Sequence, residues 1–270
     1  MSAVEAIRTD AQALLSDGRV RLVLAFRERA GRRIPYALVD PAAAEAIVFD
    51  DGCRQNLAAY VTKPEVRAAF PVAVLARPAV LRSLVVLHAE SQITSADVLV
   101  LAIGPERYHG PMDLAAAAAL LQSEYGDLAP DPALLARMRE LAGLDAAGRS
   151  AFWREQLSRC TRCYACRAAC PGCYCASCIV ERNQPQWIAG APIDHGNYGW
   201  SVIRAYHQAG RCTLCGACEE ACPQGLPLML LNLAVTQCVE EAFGHRSGYD
   251  LEGRPLIGSW DAGDGDTFIR

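Results

Sequence analysis

The chain has no apolar run long enough to cross a bilayer, and its first residues, Met-Ser-Ala-Val-Glu-Ala-Ile-Arg, lack the charged and then apolar pattern of a secretory signal. A soluble cytoplasmic protein is the expectation. Positive charge is not in surplus either: 26 Lys and Arg stand against 30 Asp and Glu, a formal net charge of -4. That balance offers no broad basic surface to neutralise phosphates, which argues against nucleic acid as the partner. A phosphate-cradling G-x-x-x-x-G-K-[ST] loop, a G-x-G-x-x-G after a strand and a nucleophile beside a base are all missing. Independent catalysis has no motif behind it, and whether the chain is itself an enzyme stays open.

What is plentiful is cysteine. A chain of 270 residues, 52% apolar and 21% charged, has the composition of a folded protein with a real core, and it carries thirteen cysteines. Without a secretory signal these are not expected to pair as disulfides; dense thiol clusters in a reducing compartment bind metal. Eleven of the thirteen lie between Cys160 and Pro223. There one spacing occurs twice: Cys160, Cys163, Cys166, Cys170, Pro171, then Cys212, Cys215, Cys218, Cys222, Pro223.

Both runs read C-x2-C-x2-C-x3-C-P. A cubic iron-sulfur cluster needs four thiolates, and the close triple supplies three from one tight loop, so the fourth comes from elsewhere. In two-cluster ferredoxins the fourth cysteine of each run ligates the other cluster, and the proline turns the chain away. Mapped onto these residues, Cys160, Cys163, Cys166 and Cys222 hold one [4Fe-4S] cluster. Cys212, Cys215, Cys218 and Cys170 hold the second. Zinc is the competing reading, since it also takes four cysteines in C-x2-C pairs, but it does not account for the third and fourth cysteines and the proline, twice over.

The two runs are separated by an insertion, residues 171–211, with Cys173, Cys175 and Cys178 and then Trp187, His195, Tyr198 and Trp200. Neither cube needs the three extra thiols. Together with Cys53, they are candidates for a third site holding a cluster or a zinc ion; the alternative is that they are small buried apolar residues. The aromatics are expected to cover the clusters and exclude water. Cys238, alone on the last predicted helix, reads as a packed free thiol, and the Asp194-His195 pair as a surface hydrogen bond.

Elsewhere the periodicity gives the architecture. Residues 3–16 have helical spacing through Val4, Ile7, Ala11, Leu14 and Leu15, and Ser16-Asp17-Gly18 ends it. Val20 to Phe26 reads as a strand buried on both faces, Glu28 to Arg33 as a polar turn with Gly31, Tyr36 to Asp40 as a second strand, and Pro41 opens a short Ala-rich helix. Val72 to Ala76, Pro78 to Glu90 and Asp97 to Ile103 form a β-α-β unit with parallel strands. The expected organisation is an α/β domain over 1–110, a helical connector over 111–158, a bacterial-type two-cluster ferredoxin-like domain over 159–243, and an irregular tail over 244–270. One helix is placed from Leu228 to about Phe243.

The tracts Arg159 to Cys175 and Gly210 to Glu219 resemble the dicluster iron-sulfur subunits that accompany formate dehydrogenases, hydrogenases and heterodisulfide-reductase-like complexes. The preceding domain, including Cys53-Arg54-Gln55-Asn56-Leu57-Ala58-Ala59-Tyr60, is similar to the beta subunits of deazaflavin-reducing hydrogenases and formate dehydrogenases. Pro78-Ala79-Val80 stands where that resemblance would place Gly-Cys-Asp, and Gly104-Pro105-Glu106 carries no cysteine. The resemblance implies an electron-transfer subunit in a hetero-oligomer, relaying single electrons between a catalytic oxidoreductase subunit and a second redox protein. Some such beta subunits also bind a flavin, which implies a second reading, a flavin-dependent subunit exchanging electrons with a soluble nicotinamide or deazaflavin. A zinc-stapled interaction module is the third.

Overall fold

The computed structural model describes residues 2–105, 107–126 and 128–256. The expected tail beyond 256 lies outside them. Helix α1 (Ala3–Ser16) begins at Ser2, whose hydroxyl accepts from the Glu5 amide while the Glu5 carboxylate takes the Ser2 amide, a reciprocal cap. It leads into β1 (Leu22–Arg29), buried from Leu22 to Phe26, half-buried at Arg27 and exposed at Glu28 and Arg29 as the strand leaves the core. A two-residue turn at Ala30 and Gly31, with φ of 49° and 73°, returns the chain as β2 (Arg32–Leu38). Those two left-handed residues match the twist of an antiparallel hairpin, so the strands run farther into the polar stretch than hydrophobicity suggests.

The expected β-α-β unit is present: β3 (Val72–Ala76), α2 (Pro78–Ala89) and β4 (Val98–Ile103). Strands β1, β3 and β4 are parallel neighbours, and β3 is buried at every position, as a strand covered on both faces must be. A fifth strand, β5 (Tyr108–Met112), pairs antiparallel with β4 and gives the sheet order β2-β1-β3-β4-β5. Helix α3 (Leu114–Leu120) packs Leu114, Ala117 and Ala118 into the same core, and the Tyr125 hydroxyl donates to the carbonyl of Ile103. The sheet layer therefore continues past residue 110, and the first helix of the expected connector belongs to it.

Helices α4 (Pro132–Ala142) and α5 (Ala146–Ser158), each opened by an aspartate cap at Asp131 or Asp145, turn to a second core instead. Leu134 and Leu141, with Phe152 and Trp153 partly buried, pack there with Leu226, Leu228, Leu230 and Leu233 against the cysteine loops. Helix α6 (Asp194–His207) lies in the insertion, and α7 (Leu228–Phe243) closes the layer, ending on left-handed Gly244. None of the described helices is long and apolar enough to cross a membrane.

Helix α2 is the seam between the layers. Arg82, buried, donates to the carbonyls of Ser247 (2.8 and 3.3 Å) and Thr213 (3.1 Å), and the Ser83 hydroxyl lies 3.1 Å from that of Thr213. At the C-terminal end of the helix Glu90 accepts from Arg211 (2.8 Å) and from the Tyr174 hydroxyl (2.7 Å). The second cysteine loop is thus held against the sheet layer from the middle and the C-terminal end of one helix.

Candidate metal centres

The two cysteine runs repeat one backbone conformation. The third and fifth residues of each are left-handed: Arg162 and Tyr164 in the first (φ 56° and 60°), Leu214 and Gly216 in the second (54° and 78°). Only glycine adopts this region without steric cost, so three non-glycine residues here signal a loop shape imposed by its surroundings. The amide of the third residue donates to the first sulfur, Arg162 N to Cys160 and Leu214 N to Cys212, both at 3.4 Å. Single helical turns follow, Ala165–Ala168 and Ala217–Glu220, and these pack together.

Each loop borders its own cavity. The first is lined by Cys160, Cys163, Cys166 and Cys222, with Arg162, Trp200 and Ser201. Cys170, Cys212, Cys215 and Cys218 line the second, which is backed by Ser83, Val86 and Leu87 of α2 and by Asn232 of α7. Each close triple thus shares a cavity with the fourth cysteine of the other run. Amide donors reach sulfurs in both: Leu226 N to Cys222 (3.5 Å) in the first, and Asn232 Nδ2 to Cys218 (3.4 Å) in the second.

Burial pushes the Cys212 thiol up to about 12, with the neighbouring Cys215 adding to the effect, and pushes Cys166 and Cys218 up to about 11. Left without metal these groups stay protonated at neutral pH, and cluster assembly must displace those protons. The first cavity also has polar atoms with no protein partner: Trp200 Nε1, Ser201 Oγ, and Nε and Nη1 of Arg162 are all buried and unpaired. Orphaned buried donors are costly, and the sulfides and thiolates of a cluster are acceptors that would satisfy them. Four thiols, no other ligand type and unpaired donors fit an iron-sulfur cube. A cube spreads its thiolates over four irons.

The structure does not bring together the four cysteines expected for a third site, Cys53, Cys173, Cys175 and Cys178. Cys53, 2% exposed, sits in the sheet core, with its thiol directed to the Val48 carbonyl (3.7 Å). Its neighbour Asn56 binds the Ala79 carbonyl at the start of α2, whereas Tyr174 of the insertion binds Glu90 just past the helix end. Twelve helical residues span about 18 Å, so α2 keeps the groups apart. Cys173 instead lies beside Cys170, and Gln208 reaches both sulfurs (3.4 and 3.5 Å). Cys178 packs with Val180, Ile188 and Trp200, and Cys175 is exposed.

Other expectations divide. Trp200, 2% exposed, walls the first cavity and meets Tyr164 edge-on at 5.5 Å, while Trp187 is 68% exposed and covers nothing. Cys238, expected to be packed, is exposed. Asp194 and His195 are exposed at the start of α6. Sequence reasoning passed over Arg204 on the same helix, which is 6% exposed and donates to the Cys166 carbonyl at 3.1 Å.

Paired loops in which each close triple shares a cavity with the other run's fourth cysteine are the arrangement of a dicluster iron-sulfur domain. Residues 155–226 match the family described as a 4Fe-4S dicluster domain, and two [4Fe-4S] clusters are its cofactors. The chain is similar to the F420-dependent formate dehydrogenase subunit beta of Methanocaldococcus jannaschii, at 31% identity over 105 residues, and to the F420-dependent formate dehydrogenase 1 subunit beta of Methanococcus maripaludis, at 29% over 106. Each match takes in 39% of this chain and 27% of the relative's length. The chain thus carries a dicluster iron-sulfur domain and resembles those beta subunits over part of its length.

Proposed function

We propose that this chain is an electron-transfer subunit of a multi-subunit, formate dehydrogenase- or hydrogenase-like oxidoreductase. It would relay single electrons between a catalytic subunit and a second redox protein within a cytoplasmic hetero-oligomer. In this reading Cys160, Cys163, Cys166 and Cys222 hold one cluster, and Cys212, Cys215, Cys218 and Cys170 the other. A bound [4Fe-4S] cluster supplies one-electron chemistry. The residues of the chain do the rest: they hold two such sites side by side, wall them from water and fix their hydrogen bonds.

The observation that carries the proposal is the pairing of the two cavities. The helical turn after the first triple packs on the turn after the second, and Cys218 of one cavity feels Cys166 of the other, so the sites adjoin. Adjacency is what a relay needs, and Cys163 is exposed where electrons could enter or leave. Anaerobic purification from the native source tests it. About eight irons per chain, matching sulfide and a copurifying catalytic subunit are expected; a colourless protein holding zinc would overturn it.

A second reading, with a flavin in the chain itself, draws on one observation. A cleft of about 460 Å³ lies between the layers, bordered by Arg77, Pro78 and Arg82 beyond the carboxyl end of β3 and by Thr213 and Leu214 of the second loop. Clefts of this size at the ends of parallel strands accept nucleotide-like ligands, and this one adjoins the second cluster loop. Stoichiometric flavin, together with oxidation of a nicotinamide or deazaflavin by the isolated chain, would favour this reading over the pure relay.

A further inference from the structure

Arg204 presents an electrostatic problem. It lies on the last turn of α6, within the insertion that sets this chain apart from a small ferredoxin, and it is 6% exposed. One guanidinium nitrogen donates to the Cys166 carbonyl, and Nε is buried without a partner. Among the described residues no carboxylate pairs with it. A buried guanidinium without a counter-ion costs several kcal/mol, on the order of the penalty for any isolated buried ion, and natural interiors avoid it.

The groups around it show where its counter-charge lies. Its bond to the Cys166 carbonyl sets it beside the first cavity, and Gln208, one turn further along the same face of α6, touches the sulfurs of Cys170, which lines the second cavity, and of Cys173. The face of α6 that carries the cation therefore runs from one thiol set to the other.

We propose that Arg204 is a counter-cation shared by both iron-sulfur sites, which holds the reduction potentials of the two up together. The inference rests on the dicluster reading above. Its physical basis is simple: a cube ligated by four thiolates is anionic, and accepting an electron makes it more so. A fixed positive charge in a low-dielectric interior stabilises the reduced form. Because it faces both sets, it also offsets the mutual repulsion of two reduced neighbours. Arg204 acts through charge and position, without contacting a substrate.

The test is potentiometric, made on the anaerobically prepared full chain. Iron and sulfide analysis of the wild type comes first, since failure to find two clusters would overturn the ligation reading before any variant is compared. Midpoint potentials of both clusters are then measured by mediated dithionite titration with electron paramagnetic resonance detection, in wild type, Arg204→Met and Arg204→Lys. Arg204→Met is expected to make both clusters at least tenfold harder to reduce, a negative shift of about 59 mV for a one-electron couple. Arg204→Lys should recover most of that shift. Unmoved potentials in an Arg204→Met protein with both clusters intact, or a shift confined to one cluster, would overturn the proposal. If Arg204→Met cannot keep its iron, retention by Arg204→Lys supports a role for charge, and loss in both variants assigns the residue to shape and overturns it.

Discussion

The Arg82 guanidinium, on the helix that follows the central strand of the sheet, donates to the main-chain carbonyl of Thr213 at 3.1 Å, one residue past the first cysteine of the second loop. The same side chain holds the Ser247 carbonyl and lies over the Tyr249 ring at 4.5 Å. One buried cation therefore ties two separate stretches of chain, the second cysteine loop at Thr213 and the segment 247–249, to the sheet layer.

Arg82→Met should keep most of the apolar contact and lose the hydrogen bonds. A bond from a charged donor contributes about 1.5–3 kcal/mol, so a loss of about 3 kcal/mol is expected in urea unfolding of the cluster-loaded protein. The second cluster should become the more oxygen-sensitive of the two, followed by decay of its visible absorbance. Equal decay of both clusters would show that the tie is not specific to the second loop.

Cys222→Ser distinguishes crossed from uncrossed ligation. With Cys166→Ser and Cys218→Ser as references for the two spectra, Cys222→Ser is expected to leave about four of about eight irons and to lose the same signal as Cys166→Ser. Cys170→Ser should behave like Cys218→Ser. The reverse assignment would mean that each run keeps its own fourth cysteine.

Cys53→Ala and Cys175→Ser should leave the iron content at the wild-type value. The first removes a buried thiol from the sheet core and is expected to cost about 1 kcal/mol in unfolding free energy; the second, at an exposed position, should cost nothing measurable. Iron lost from either variant would revive a third metal site.

Asn232→Leu removes the amide that donates to Cys218 at 3.4 Å. A hydrogen bond of about 1 kcal/mol corresponds to roughly a fivefold change in the reduction equilibrium. The second cluster is expected to become harder to reduce by that factor while the first stays put. A shift in both would mean that Asn232 acts through packing shared by the two cavities.

Much of this was legible before any coordinates. Helix α7 runs from Leu228 to Phe243 as its periodicity and the following Gly244 imply, and the β-α-β unit is marked by two apolar runs around a helical one. Strand β5 was not legible, because Tyr108-His109-Gly110-Pro111-Met112 contains the two poorest strand formers; it exists as an edge, held by β4, where a proline is tolerated. The cysteine spacing picked out the residues that line the two cavities, yet no spacing could say that α2 stands between Cys53 and the insertion. Arg204 left only a faint trace, an arginine four residues after Trp200 on the buried side of α6. Burial of a charge depends on what surrounds it, and the thiols that do so here come from both runs.

The repeated loop has a consequence for how this protein can change. Its two copies share a backbone trace, including left-handed residues at matching places, but differ in the side chains around them: Tyr164 against Trp200 in one, and in the other Gly216, where an added Cβ would meet nothing within 4 Å. A substitution beside one loop can retune one redox centre and leave its twin as it was. Separate inheritance of the two surroundings gives selection two independent adjustments, and the insertion that carries Arg204 adds a third that moves both at once.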